Sequence, residues 1–321
     1  MLEQTSDIQL LNEKVTAIKE QIGKVIVGQD NVVELLIIGL LCDGHILMEG
    51  VPGVAKTLAA KLLAKIINVN FSRIQFTPDL MPGDVIGTSV FNPREGSFYF
   101  KAGPIFSNIV LIDEINRSPA KTQSALFEVM EERQITADGV THAMDYPFIV
   151  LATQNPIEQE GTYRLPEAQL DRFIFKIEIG YPSLEEEIKI LKTHGSRSQR
   201  ELLDTVSVAL NAEEIARYRE IVQQVRVDDP IVEYIAKIVN ATRNHPSLFL
   251  GASTRASLAL LRTAKAAAAT SGRDFVIPED VISMTAPILR HRIMLTPEKE
   301  MEGITADALI ENIVKSLEIP R

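Results

Sequence analysis

A single cysteine, Cys42, stands in 321 residues. One thiol cannot close an internal disulfide, which suits a reducing compartment. Its apolar, helix-forming neighbours point to a buried, inert thiol rather than a nucleophile. No apolar run approaches the roughly 20 residues of a membrane span; the nearest, residues 32–42, is short and holds Glu34. The first residues carry Glu3, Asp7 and Glu13 around no apolar centre, so no signal peptide and no membrane span are expected, and the expected location is cytoplasmic. No His/Cys group has metal-ligand spacing. Basic excess is missing too: the net charge is −10, and binding to a nucleic-acid backbone rests on lysine and arginine. A nucleic-acid partner is therefore not expected. What is left is an ordinary globular balance, 45% hydrophobic and 24% charged, in a chain long enough for one large or two ordinary domains.

The stretch around which the chain is organised is Gly50-Val51-Pro52-Gly53-Val54-Ala55-Lys56-Thr57, followed by Leu58. It follows the apolar run His45-Ile46-Leu47-Met48-Glu49 and leads into good helix-forming sequence. Strand, glycine-rich turn and helix form the setting in which backbone N–H groups wrap phosphate oxygens. Gly50 and Gly53 permit the close approach. Lys56 can reach the outer phosphates and Thr57 can place a hydroxyl on Mg²⁺. Ala55 stands where a glycine usually precedes the lysine; a methyl is tolerable there if φ is negative.

A second signal is Ile109-Val110-Leu111-Ile112-Asp113-Glu114. Four apolar residues mark a buried parallel strand, and two acids close it. Ligands of parallel sheets lie at the carboxyl ends of strands. Asp113 there can order a Mg²⁺-bound water, and Glu114 can activate a water against the γ-phosphate. A third buried strand, 148–152, runs into Thr153-Gln154-Asn155, whose amide would sit beside that phosphate.

Helix periodicity is expected over about 6–24 and 30–42, and a helix opens at Pro119 and runs to about 132. Between the strands, residues 77–104 are punctuated by glycine and proline and include the strand-like Ser97-Phe98-Tyr99-Phe100-Lys101. Such an insertion inside an α/β domain is expected to contact a partner. Asp138-Gly139 predicts a hairpin over 133–147. A strand is expected over 173–179. Beyond Tyr181-Pro182 the pattern is helical over about 184–194, 211–225, 230–244, 253–270 and 278–292. Ser183 with Glu186 predicts a capping box, and Asp229 suits the cap before Pro230. The division is residues 1–182 for a nucleotide-binding core and 183–321 for a helical domain. Arg255 falls in the first turn of a helix, where its charge is unfavourable.

These stretches, together with Val27-Gly28-Gln29, Gln75-Phe76-Thr77-Pro78, Leu165–Phe173 and Leu289-Arg290-His291-Arg292, resemble the AAA+ ATPases, and among them the MoxR group, over nearly the whole chain. The resemblance implies an α/β fold: a P-loop αβα core with a parallel sheet, plus a C-terminal all-helical lid. It implies ATP and Mg²⁺ as cofactors and a homo-oligomeric ring, expected to be hexameric. It assigns Asn155 as sensor 1, Arg172 as the arginine finger given to a neighbouring subunit and Arg255 as sensor 2, with Arg117 and Arg164 as sequence neighbours that could also act in trans. Val27 and Gly28 are implied on the adenine side. MoxR-like proteins often carry alanine before the lysine. The implied biology is chaperone-like: maturation of a protein client or insertion of its cofactor, with a von Willebrand factor A-domain partner. A nucleic-acid motor, a metabolic P-loop kinase and a non-hydrolysing scaffold are the alternatives. The first would need basic inward-facing hairpins, the second an acceptor pocket, and the third is opposed by Lys56, Asp113 and Glu114.

Overall fold

The computed structural model describes residues 2–51, 53–155, 165–195 and 199–320; the expectations for Pro52 and Arg164 lie outside them. The first half runs α1 (Leu2–Gly23), α2 (Asp30–Leu41), β1 (His45–Gly50), α3 (Lys56–Ile66), β2 (Phe71–Gln75), α4 (Pro82–Ile86), β3 (Gly87–Asn92), β4 (Ser97–Ala102) and β5 (Ile109–Asp113). A 3-10 turn (Ile115–Arg117), α5 (Ala120–Glu132), β6 (Gln134–Ala137), β7 (Val140–Ala143), β8 (Ile149–Gln154), α6 (Glu167–Leu170) and β9 (Phe173–Ile179) follow. The rest is α7 (Leu184–His194), α8 (Gln199–Asp204), α9 (Ala212–Gln223), α10 (Asp229–Arg243), β10 (Leu248–Leu250), α11 (Thr254–Thr270), α12 (Pro278–Leu289), β11 (Met294–Leu295), α13 (Pro297–Met301) and α14 (Ala306–Ser316).

Five strands form one parallel sheet in the order β2-β5-β8-β1-β9. The unbroken apolar runs of β1, β5 and β8 are buried on both faces, as central parallel strands must be. Each such side chain contributes roughly 1.5–3 kcal/mol on leaving water. Because all five strands point the same way, the sheet has two unlike ends. Gly50, Asp113 and Gln154 finish their strands at one end. His45 and its register partner Phe173 begin theirs at the other. The two ends of β1 are five residues apart, about 17 Å at the usual rise of a strand.

Two small hairpins leave this frame. In β3–β4, Phe91 lies opposite Phe98 and Val90 opposite Tyr99. The β6–β7 hairpin turns at Asp138-Gly139, as predicted. The two hairpins touch: His142 stacks on Phe100 at 4.4 Å, and Ser89 hydrogen-bonds Asp138.

The helical region keeps the five predicted segments, adds α8, α13 and the short β10–β11 pair, and departs from the prediction in three further ways. Asp228, not Asp229, is the residue before α10; Asp229 is its first helical residue, so Pro230 sits second. α14 was not anticipated, although Thr305 caps it and Leu309, Ile310, Ile313 and Val314 bury one stripe. Finally, α1 reaches beyond the expected core. Asn12 donates to the Thr270 carbonyl at 2.7 Å, and Lys14 pairs with Glu214 at 3.1 Å. One apolar cluster runs from Leu11 and Leu36 to Leu260 and Ile288 without a break at residue 182.

Candidate nucleotide site

The phosphate loop grows out of the end of β1. A β-carbon on Gly50 would lie 2.5 Å from the Ile179 carbonyl of β9, so the strand can turn here only with glycine. Gly53 has φ of +89°. Ala55 has φ of +61°, contrary to the negative φ on which its tolerance was argued. An L-residue there costs about 1–2 kcal/mol. The loop therefore keeps the backbone shape that glycine would take freely and holds a methyl group in it. Lys56 and Thr57 open α3, whose first turn has no acid and no side-chain cap, so its N–H groups face the loop unclaimed by the helix. Lys56 Nζ donates to the Gly50 carbonyl. Burial pulls the Lys56 pKa down, while Asp113, Glu49 and Glu114 oppose the shift. The charges of three carboxylates thus act on the ammonium that would meet phosphate, though Glu49 itself is paired with Lys176 at 3.0 Å.

Gln29 Nε2 donates to the Val54 carbonyl at 3.1 Å, which ties the Val27-Gly28-Gln29 segment to the loop. Val27 is buried. Gly28 has φ of +75°, and the Glu186 carboxyl of α7 fills the space a β-carbon would need. The predicted capping box is present there: Ser183 N–H donates to Glu186, and Glu186 N–H to Ser183 Oγ.

Asp113 and Glu114 lie at the same sheet end. Arg73 Nε donates to Asp113 Oδ2 at 2.5 Å. Thr153 Oγ1 donates to Asp113 Oδ1 at 3.1 Å and accepts from Glu114 N–H at 3.0 Å. Glu114 itself has φ of +57°. Its carboxylate accepts from Gln75 Nε2 at 2.7 Å and lies 3.3 Å from Arg117 Nε. Gln75 and Thr153 were quoted in the sequence without a role, and Arg73 was not singled out. The signal was the alternation Arg73–Gln75 on a strand whose register pairs Gln75 with Asp113. Asn155 is buried just past β8, whose register with β5 sets Ala152 beside Ile112.

Among the described residues no group of three or more His, Cys, Asp or Glu side chains could hold a metal. The chain offers the Thr57 hydroxyl and the Asp113 carboxylate. Mg²⁺ is commonly held in this way, by one or two protein oxygens plus phosphates and water, so these residues fit it.

The structure does not bring Arg172 and Arg255 to this end. Arg172 immediately precedes Phe173 and so lies at the opening end of β9, a sheet's height from the phosphate loop. It donates to the Phe127 carbonyl and lies 3.6 Å from Glu131. Arg255 pairs with the same Glu131 at 3.1 Å. Between them, Asp171 is gripped by the helical region: Arg292 Nε donates to it at 2.6 Å and Ser253 Oγ at 3.0 Å. Both arginines line one cavity of about 380 Å³. The buried Arg292 also donates to the Phe173 and Ile174 carbonyls, so the arginine pair, the start of β9 and the helical region form one rigid corner. Near it, Cys42 is half-buried, not buried as expected, and lines the cavity; desolvation still pushes its thiol pKa up to about 12, with the Arg219 and Arg262 charges opposing.

A phosphate loop after β1, paired acids at the end of β5 with β8 between the two strands, and a helical region after β9 define a P-loop ATPase of the AAA class. Residues 45–175 match the model of the ATPase family associated with various cellular activities (AAA), and residues 240–313 match the AAA lid domain. The chain is 44% identical to Chaperone MoxR1 of Mycobacterium tuberculosis over 94% of this chain and 81% of that one. It is 48% identical to the uncharacterized protein YeaC of Bacillus subtilis, over 94% and 93% of the two chains. The crystal structure of a candidate ATPase from Cytophaga hutchinsonii superposes with a TM-score of 0.90, at 42% identity and over 98% of each chain. The chain belongs to the MoxR family of AAA+ ATPases. No described helix is long and apolar enough to cross a membrane.

Proposed function

We propose that this protein hydrolyses ATP with Mg²⁺ in a head-to-tail ring, a hexamer by family resemblance, in which each nucleotide lies between two copies. The observation that carries this reading is the separation of Lys56, Asp113 and Glu114 from Arg172 and Arg255 by the height of the sheet. One copy holds both halves of a site and cannot join them. A repeated rotation that seats one copy's arginine corner on the next copy's phosphate loop joins every pair.

In this arrangement the amides of the loop, with Val51, Gly53, Val54, Ala55 and Leu58 around them, and the α3 N-terminus hold the phosphates. Pro52 would belong to the same loop. Val27 and Gly28 border the adenine. Lys56 neutralises the outer phosphates. Thr57, and Asp113 through water, would hold Mg²⁺, which would supply further charge neutralisation. Glu114 takes the proton of the attacking water, and Asn155 orients that water. Arg172 and Arg255 of the next copy meet the charge that develops on the γ-phosphoryl group. Sensor 2 thereby acts from the neighbour along with the finger, instead of closing over its own nucleotide.

The client reading rests on the hairpins. Phe100 is packed against His142 and Phe106, but Phe91, Phe98 and Tyr99 stay exposed, with Phe91 and Phe98 5.1 Å apart. Exposed rings on a hairpin suit a protein surface. A chaperone-like role on a protein client in the cytoplasm follows, with a von Willebrand factor A-domain protein as co-partner. Replacing residues 92–97 by a glycine-serine link should keep ATPase activity and lose client binding. Tight, salt-sensitive binding to DNA would instead favour a nucleic-acid motor.

The deciding experiment mixes two inactive proteins. Arg172→Ala subunits and Glu114→Gln subunits are each expected to be nearly inert. Together they should recover part of the activity, because one type of junction then has an intact Glu114 facing an intact Arg172. Proven co-assembly without recovery would sink the shared site.

A further inference from the structure

The helix that leaves the nucleotide-binding core is amphipathic with its sense reversed. In α7, Glu186 and Ile190 face the protein, whereas Leu184, Ile188 and Leu191 point outward, 73%, 43% and 66% exposed. Spacings of four and three residues align these three in one stripe about 10 Å long. Tyr181, 77% exposed, extends it toward the core. Glu187 flanks the stripe, and the first turn carries Glu185, Glu186 and Glu187. A lone exposed leucine needs no explanation, but a continuous apolar stripe marks a contact surface. Its place is set by Glu186, packed on Gly28 beside the segment that Gln29 ties to the phosphate loop.

The opposite face of the molecule carries the complement. α11 holds Arg255, Leu258, Arg262 and Lys265 at helical spacing and has no acidic residue in its 17-residue span. Leu258 is 53% exposed. The four positions cover roughly 15 Å of helix. They line a trough formed by two cavities, of about 380 and 650 Å³, that share Cys42, Asp43 and Arg262. Of the acids on its walls, Asp43 is bound by Arg133 and Arg219, Glu131 by Arg172 and Arg255, and Asp171 by Arg292, which leaves Glu220. Among the described residues neither Arg262 nor Lys265 has a carboxylate within ion-pair distance; Lys265 donates only to the Gln223 carbonyl, at 2.8 Å. Burial lowers its pKa, as expected of an ammonium that has lost water and gained no acid.

We propose that the trough along α11 receives α7 of a second copy of this chain, with Leu258 set against the Leu184–Ile188–Leu191 stripe and Arg262 and Lys265 against Glu187 and Glu185. The docking rests on the shared-nucleotide reading and extends it. Arg255, which that reading sends to the neighbour's phosphate, is the first member of the same α11 row, and α7 is the element beside the neighbour's Gly28. The row thus continues from the nucleotide onto α7, and the contact joins apolar to apolar and base to acid. It also lets a copy sense its neighbour through α7, which follows β9, the strand that Arg172 immediately precedes.

The test uses the full chain carrying Glu114→Gln, with ATP and Mg²⁺, and follows assembly by sedimentation velocity across protein concentration. Adding Leu184→Ser and Leu191→Ser should leave the melting temperature of the monomer unchanged, since both side chains are exposed, and should prevent assembly in the range where the parent assembles. Glu187→Arg and Arg262→Glu singly should each raise the concentration for half-assembly roughly tenfold, and the two together should recover most of it, because reversed partners attract again. An α7 variant that assembles at the parent's concentration overturns the docking while leaving the shared site standing. A failure of the charge-reversed pair to recover overturns the pairing of α7 with α11. No assembly by the parent in any nucleotide state overturns the shared site and the docking together.

Discussion

The two ends of the sheet solve opposite electrostatic problems. At the closing end each acid near Lys56 already has a cation, Glu49 with Lys176 at 3.0 Å, Asp113 with Arg73 and Glu114 with Arg117, and Gln75 and Thr153 restrain the acids further. At the opening end, Arg172, Arg255 and Arg292 crowd two acids, Glu131 and Asp171. At the first end the acids are paired with other cations, which leaves Lys56 to meet a polyphosphate, and the second end is short of anions. Cationic stabilisation acts on the transition state more than on bound ATP. On the proposed shared-site reading, holding it in another copy would make hydrolysis depend on assembly, whereas nucleotide binding would not.

That contrast predicts unequal consequences for substitutions at the two ends. Arg172→Ala should show the largest effect, a loss of roughly 10³-fold or more in turnover of the assembled protein. Its ATP affinity, measured by calorimetry, should stay within a few-fold of the parent. A comparable loss of affinity would place Arg172 on ground-state ATP and blur the distinction between the ends. Glu114→Gln should follow, with hydrolysis down roughly 10²–10⁴-fold and ATP retained, because an amide cannot take the water's proton. Near-normal turnover would remove Glu114 from the role of base.

The closing end was legible in the sequence because its parts are local. Gly50 to Thr57 carries its own spacing, and Ile109 to Glu114 is a buried run ending in acids. What escaped was assembled across elements. Gln75 reaches Glu114 only through the β2–β5 register. Thr153 serves Asp113 and Glu114 together because β8 lies beside β5. The φ of Ala55 is fixed by the loop that glycine neighbours shape, and residue type alone argued for the opposite sign. The arginine corner was legible as residues but not as a place. The position of Arg255 depends on α1 and α2 packing against α11, and on Arg292 and Ser253 closing over Asp171. None of these contacts has a local sequence mark.

Acid should distinguish the ends next. Two buried histidines brace the opening end: His45 accepts from Val150 N–H at 2.9 Å and contacts the Met130 carbonyl at 3.1 Å, and His291 contacts the Phe173 carbonyl at 3.0 Å. Burial, reinforced by Arg133, lowers the His45 pKa from 6.5 to about 4; burial, reinforced by Arg292, holds that of His291 well below 6.5. The unfolded chain takes up these protons below pH 6.5 and the folded chain does not, so stability is complete above that pH and declines as pH falls toward 4. The slope is roughly 1.4 kcal/mol per pH unit for each histidine. Denaturant unfolding between pH 7 and 5 should show it, and His45→Gln, which keeps a donor and an acceptor, should remove about one proton's worth. A slope unchanged in that variant would mean that His45 is already protonated when folded.

The smallest effect sharpens the description of the closing end. Ala55→Gly should relieve a left-handed alanine worth about 1–2 kcal/mol. Against this, glycine gives the unfolded chain freedom worth roughly 0.4–1 kcal/mol. The difference favours the variant by about 0.5–1 kcal/mol, a rise in melting temperature of roughly 1–4 °C for a domain of ordinary size. The comparison is informative because Ala55 lies beside the residue that meets phosphate. If glycine stabilises the protein without ATP and the gain disappears with ATP bound, the nucleotide itself compensates the strain through the loop amides. If the gain is the same in both states, the left-handed turn is simply the cost of the loop's shape. A variant that melts lower in both would show that the free loop holds Ala55 at negative φ, and the loop geometry at this end would have to be redrawn.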